Sequence, residues 1–333
     1  MNRRQTLSAM VALGATLASR IVSARPRAAA RPYRIGLVPN LPKRRHEQIQ
    51  LALREVGWVL DVDYALFQAG AVQADDIELA VKRVVDEGPD LILAAITAYV
   101  VAAHRLTKEI PIVMWTSGFP VEAGLASGYA RPRGNVTGMA IYSGTEVFGK
   151  FLQLLRAVKP EIRRIGVLWT YVPPHHPKEE VEPCYRELRE AAATLGLDLR
   201  IFEIGTQEQT GDALAAVAAE RMDALLLTSG APPSPHRWQV SRFVVERRLP
   251  AICDWEWPAV EPQPLMRYSP SPMALLRQAA VYMDRILRSG AKPGDLPIQR
   301  PSKFELEVNM QTARAIGLDV PRSILLRADK VIE

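Results

Sequence analysis

Ala130-Arg131-Pro132-Arg133-Gly134-Asn135-Val136-Thr137-Gly138 stands between two stretches of this 333-residue chain that echo one another. Pro and Gly interrupt any helical or alternating apolar period in it, so it reads as a linker. Before it comes Arg34-Ile35-Gly36-Leu37-Val38, and 130 positions later Arg164-Ile165-Gly166-Val167-Leu168. Pro89-Asp90-Leu91-Ile92-Leu93 is echoed by Met222-Asp223-Ala224-Leu225-Leu226. Ile110-Pro111-Ile112-Val113 is echoed by Leu249-Pro250-Ala251-Ile252, 139 positions on. Order and spacing agree, which predicts two copies of one α/β unit and a cleft between two lobes.

Within each copy, short apolar runs alternate with helical periods, the pattern of parallel sheets covered on both faces. Strands are expected at 34–38, 64–67, 91–95 and 112–115, with helices between them. Ile49, Ala52, Leu53 and Val56 form one buried stripe closed by Gly57. Ile77, Ala80, Val81 and Val84 form another, capped by Asp75 or Asp76 and stopped by Gly88. After the linker the pattern restarts: helix 147–155, strand 165–169, helix 180–195 closed by Gly196, and strands 199–204, 224–227 and 251–253, separated by helices around 214–219 and 238–245. Ser271-Pro272 opens a further helix that ends at Gly290. A Pro-rich crossing at 294–301 leads to an alternating outer strand at 304–308 and a short helix at 313–316, while the tail 323–331 has no assigned place. The expected organisation is an export signal over 1–30, a first lobe over 31–138 plus 268–298, and a second over 139–267 plus 299–333. The fold class is α/β, two Rossmann-like lobes with parallel sheets.

The apolar fraction of 48% and charged fraction of 23% are ordinary for a globular chain. Arg3, Arg4, Arg20, Arg25 and Arg27 account for five of the six net positive charges, so the basic balance belongs to the leader and does not argue for nucleic acid. Paired arginines, a short apolar run from 7 to 19, and small residues near 24 and 30 read as a cleavable export signal of twin-arginine or general secretory type. Neither cysteine, Cys184 or Cys253, follows that run, so no lipid anchor is expected and the mature chain reads as periplasmic and soluble. Cys184 shares an apolar helix face with Val181, Leu188 and Leu195; pairing with Cys253 stays open.

No Gly-rich phosphate loop follows the first strand, no Walker sequence occurs, and Thr116-Ser117-Gly118 lacks the first Gly of a nucleophile elbow. His175-His176 stands without ligand-type neighbours at metal spacing. Asp254 and Glu256 could act as a carboxylate pair or as polar cleft contacts, and Asn135-Val136-Thr137 reads as turn chemistry. No catalytic residue, cofactor or metal is assigned. What remains is position: open parallel sheets bind ligands beyond their carboxyl ends. On that ground the expected ligand-binding set is Asn40, Thr97, Ala98, Tyr99, Trp115, Thr116, Ser117, Phe119, Tyr171, Ser229, Asp254 and Trp255, with Tyr142 and Tyr268 after the lobe crossings. Hydroxyls and helix-start amides suit a carboxylate, and aromatics suit a flat ligand body.

Three stretches also carry a resemblance. Arg131-Pro132-Arg133-Gly134-Asn135-Val136-Thr137-Gly138 is similar to "RPGGNVTG", and Lys303-Phe304-Glu305-Leu306-Glu307-Val308-Asn309, with Ala313-Arg314-Ala315-Ile316-Gly317-Leu318-Asp319-Val320-Pro321, to "KFELVINLKTAKALGLTVP". Arg327-Ala328-Asp329-Lys330-Val331-Ile332-Glu333 is similar to "RADEVIE". The chain thus resembles ABC-transporter substrate-binding proteins of the tryptophan/tyrosine-uptake type, with a type I periplasmic-binding-protein fold. The resemblance implies a non-catalytic, monomeric receptor whose lobes close by a multi-strand hinge on an aromatic amino acid or other small organic solute, then dock on a permease coupled to an ATPase. Where the family reads Asp-Pro-Val, this chain has Phe119-Pro120-Val121. That departure favours an uncharged or carboxylate-bearing aromatic ligand, with Glu122 or Asp254 as substitute carboxylates. Segment 40–45 also departs from the family's loop. A sensor module and an exported α/β enzyme using Asp254, Glu256 or a histidine in the same cleft are the competing readings.

Overall fold

Strand β1 (Tyr33–Val38) lies between β2 (Tyr64–Gln68) and β3 (Leu91–Ala95); β4 (Ile112–Ser117) and β5 (Val136–Ala140) continue the sheet beyond β3, all parallel. The structure is a computed structural model and describes residues 31–70, 76–170, 178–204, 206, 208–228, 236–255 and 263–333. Alternate side chains of the apolar runs serve two cores. Leu91, Leu93, Val113 and Trp115 pack toward α1 (Lys43–Glu55), while Ile92, Ala94, Ile112 and Met114 pack toward α2 (Ile77–Asp86) and α3 (Thr97–Leu106). Burial on both faces is why these strands read as unbroken apolar runs. Asp76 caps α2 by accepting from Leu79 N at 2.9 Å, and Gly57, at φ +80°, closes α1.

The second sheet repeats the plan. Strands β6 (Arg164–Thr170), β7 (Asp198–Ile204), β8 (Ala224–Leu227) and β9 (Ala251–Cys253) are parallel. They are linked through α5 (Lys178–Leu195), α6 (Gln209–Ala219) and α7 (His236–Glu246), with α4 (Val147–Val158) preceding β6. Beyond β9 come β10 (Met266–Ser269), β11 (Glu305–Asn309) and β12 (Lys330–Ile332), giving the order β12-β11-β10-β9-β8-β6-β7, with β10 and β11 antiparallel. Helix α8 (Pro272–Leu287) returns to pack with α1 on the first sheet; α9 (Met310–Ile316) and α10 (Arg322–Leu325) belong to the second half.

The echoed blocks do the same work twice. Asp90 accepts from Arg34 N at 2.7 Å, and Asp223 accepts from Arg164 N at 2.8 Å, each at the entry to the first strand of its half. Pro111 O accepts from Ile92 N at 2.9 Å and Pro250 O from Leu225 N at 3.0 Å. A Cβ at Gly36 would stand 2.4 Å from Val84 Cγ1, and one at Gly166 2.8 Å from Leu225 Cδ2. Neighbouring side chains close over both strands at that point.

The chain passes between the sheets three times, after β5, after β10 and before β11. The third passage lies along the end of β5, where the first begins: Gln299 N donates to Gly138 O at 2.9 Å, and Ala140 N to Gln299 O at 2.8 Å. Gly138 is required there, because at φ +128° a Cβ would fall 1.9 Å from Met114 O.

Several expectations need correction. The last third of the linker is strand: Val136 to Gly138 belong to β5, where side chains are buried on both faces, so no period shows. Asn135 does not serve a local turn; its amide donates to Thr107 O at 3.0 Å and Ile110 O at 2.8 Å while Oδ1 meets His104 Nδ1 at 2.9 Å. The strand at 304–308 is not outermost, because the tail supplies β12 beside it. Tyr268 and Ser269 precede their crossing and lie within β10, so a boundary drawn between 267 and 268 cuts a strand of the second sheet. Segment 40–45 is not all loop, since α1 starts at Lys43. The pairing that the sequence left open is not made: Cys184 and Cys253 are free and sit in different cores of the second half.

Candidate functional site

The carboxyl ends of β4 and β9 meet. Trp115, 1% exposed at the end of β4, faces Trp255, just past β9, with ring centroids 6.1 Å apart. Trp255 packs against cores of both halves. On α1, the Arg45 guanidinium lies over the Trp115 ring at 5.0 Å from its centroid, and Arg45 donates to Gln48 Oε1 at 2.6 Å. The indole Nε1–H of Trp115 is buried and meets no acceptor among the described residues.

A reciprocal contact lies alongside. Phe119, two residues past β4, is 5% exposed and sits in the core of the second half, stacked on Tyr142 (centroids 5.1 Å, 25° between planes) and tilted against Phe148 at 6.4 Å. Tyr142 comes from the first crossing and donates its hydroxyl to Asp254 Oδ2. Asp254 is 1% exposed. Burial, with the Asp254 charge added, pushes the neighbouring Cys253 thiol up to about 12.

The hydroxyls at the end of β4 bond internally. Thr97 Oγ1 lies 3.2 Å from Ser117 Oγ and accepts from Gly118 N at 2.9 Å, while Thr116 O accepts from Ile96 N at 2.7 Å. Ile96 sits at φ +63°, an unfavourable angle for a β-branched residue, held so that α3 starts directly at the strand end. Ala98 is buried in, and Tyr99 packs against, the core beneath α2 and α3. Asn40 donates to Gly70 O, joining the loops after β1 and β2. Tyr268 packs within the second half, stacked on Phe304 at 5.2 Å and edge-on to Phe151 at 5.8 Å. Tyr171, Ser229, Glu256 and His175-His176 lie outside the described residues. Among the described residues no three His, Cys, Asp or Glu side chains come together as metal ligands.

The structure therefore brings Trp115, Phe119, Tyr142, Asp254 and Trp255 together where the halves touch. Sequence reasoning missed Arg45. The signal was present: Pro42 immediately before a helical period marks a helix start, which puts residue 45 on the first turn beyond β1.

Comparison with known proteins adds the following. A family model described as ABC transporter substrate binding protein matches residues 43–332. The chain is 26% identical over 242 residues to the tyrosine-binding protein of Clostridioides difficile (strain R20291), a match that covers 71% of this chain and 65%, just under two thirds, of that protein. Among solved structures, the ABC domain in complex with L-Trp from Streptococcus pneumonia superposes with a TM-score of 0.75 at 22% identity, over 90% of this chain and 100% of that one. A ligand-free, open substrate-binding protein with adhesive properties from Clostridium difficile gives 0.59 at 22% identity, over 90% and 99%. At these identities the likeness is one of fold.

Proposed function

The chain belongs to the ABC transporter substrate-binding protein family, and from that premise we propose that it is the extracytoplasmic solute receptor of an ABC importer. Its two lobes, built on the type I periplasmic-binding-protein fold, close on a small aromatic or carboxylate-bearing organic solute and perform no chemical step. The observation that carries this reading is the ring-to-ring meeting of Trp115 and Trp255, one from each half, at the carboxyl ends of parallel strands. Aromatic faces from both sides suit a planar ligand body. The Tyr142–Asp254 pair supplies a polar group at the same place. Relatives described as binding tyrosine and L-Trp support an aromatic ligand. The 1–30 leader would place the mature chain in the periplasm, where the closed form docks on a permease coupled to its ATPase. No helix among the described residues is long and apolar enough to cross a membrane.

The test is a thermal-shift screen of the mature chain against L-tryptophan, L-tyrosine, indole-3-acetate, 4-hydroxyphenylacetate and a general solute panel. Binding raises the melting temperature by mass action, a ligand at about 100 times its Kd adding about 2.7 kcal/mol. Mass spectrometry of the recovered ligand should show it unchanged. No shift from any solute at millimolar concentration would refute the receptor reading, and turnover would replace it with an enzyme.

A further inference from the structure

Resting on that receptor reading, we infer that Trp115 and Arg45 form the carboxylate subsite of the ligand. An indole nitrogen can only donate. That of Trp115 is buried, in a residue 1% exposed, and has no acceptor among the described residues. A buried donor left unmet costs free energy, so native structures pair the great majority of them. Here the ring is wedged between the first turn of α1 and Trp255 of the other half. An acceptor delivered to this place when the halves separate and close again would satisfy the N–H.

The charge beside it selects the kind of acceptor. The Arg45 guanidinium lies 5.0 Å from the centre of the Trp115 ring, and Gln48 accepts from it at 2.6 Å. Helix α1 opens with Lys43, Arg44 and Arg45 and has no acidic residue in its first turn. Helices ordinarily place carboxylates there, because the first turn carries unpaired N–H groups and the positive end of the backbone dipole. An anionic oxygen arriving at this helix start would meet that positive end. The ligand class is therefore an aromatic carboxylate, with one carboxylate oxygen accepting from Trp115 Nε1–H, Arg45 as counter-charge, and Trp255 covering the ring.

The experiment is isothermal titration with matched acid and amide pairs: indole-3-acetate against indole-3-acetamide, and L-tryptophan against L-tryptophanamide. Wild type should prefer at least one acid over its amide by tenfold or more. Trp115→Phe keeps an aromatic face but removes the N–H with the pyrrole ring that carries it, and should weaken the acid about tenfold. Arg45→Gln, at a half-buried position, should erase the preference for acid over amide while circular dichroism and melting temperature stay at wild-type values. Equal binding of acid and amide, or undiminished acid binding by Trp115→Phe, overturns the subsite. A solute without a carboxylate that binds wild type and Trp115→Phe alike also overturns it while leaving the receptor reading intact. Binding by no solute at all overturns both.

Discussion

Phe119→Ala should show how firmly the two halves are joined. The ring belongs by sequence to the end of β4 but is buried in the core of the other half, 5% exposed, against Tyr142 and Phe148. Truncating a buried Phe to Ala costs about 3–5 kcal/mol, depending on how far the surroundings collapse. Here collapse is restricted: Tyr142 is tied to Asp254, and Phe148 is held by Phe151 and Trp169 at 6.2 and 5.6 Å. The upper part of that range, about 4–5 kcal/mol, is therefore expected. Phe119→Leu, which keeps most of the volume, should cost about 1.5 kcal/mol. A double-mutant cycle with Tyr142→Leu should return a coupling of about 0.5–1.5 kcal/mol for the stacked pair. The assay is urea unfolding followed by tryptophan fluorescence and far-ultraviolet circular dichroism. If the halves unfold in separate transitions, the loss should fall on that of the second half, where the ring is seated. A loss below about 1 kcal/mol for Phe119→Ala, or zero coupling to Tyr142, would refute the reasoning, because a ring this buried cannot be removed so cheaply.

Two further outcomes follow from the cores. Cys184 and Cys253 should resist a thiol reagent in the native state and both react in denaturant, with no mass change of two hydrogens after oxidation, because they are buried in separate cores. His104 is held below its ordinary value by burial, against the opposing effect of its hydrogen bond to Asn135. A histidine depressed in the folded state contributes stability that is full above the unfolded value near 6.5 and is lost as pH falls below it. Melting temperature should therefore drop more steeply below pH 6.5 in wild type than in His104→Gln; parallel profiles would count against this assignment.

The duplication was legible because both copies obey the same local chemistry. Arg34 and Arg164 open strands whose backbone N–H groups need a carboxylate, so an aspartate recurs at 90 and 223. Apolar runs buried on both faces and helices closed by Gly57, Gly88 and Gly196 likewise leave marks within a few residues of where they act. The misreadings share a different cause. Val136 to Ala140 form a strand through partners at 112–117 and 299, and Lys330 to Ile332 form one through 307–309. A strand recruited by distant residues need carry no period of its own.

The site divides in the same way. Position at a strand's carboxyl end singled out Trp115, Phe119, Asp254 and Trp255, because that rule depends only on the order of strands and helices. Which residues meet was decided by tertiary structure: the Thr97, Thr116 and Ser117 hydroxyls turned to bracing α3 against β4, Tyr268 stayed in its own half, and Arg45 came to rest on Trp115. Sequence alone thus determined the repeated sheet-and-helix plan, since periodicity, capping and turn chemistry act over a few residues. The pairing of rings, charges and buried donors across two halves belonged to the folded molecule, because it depends on distances between groups more than a hundred positions apart.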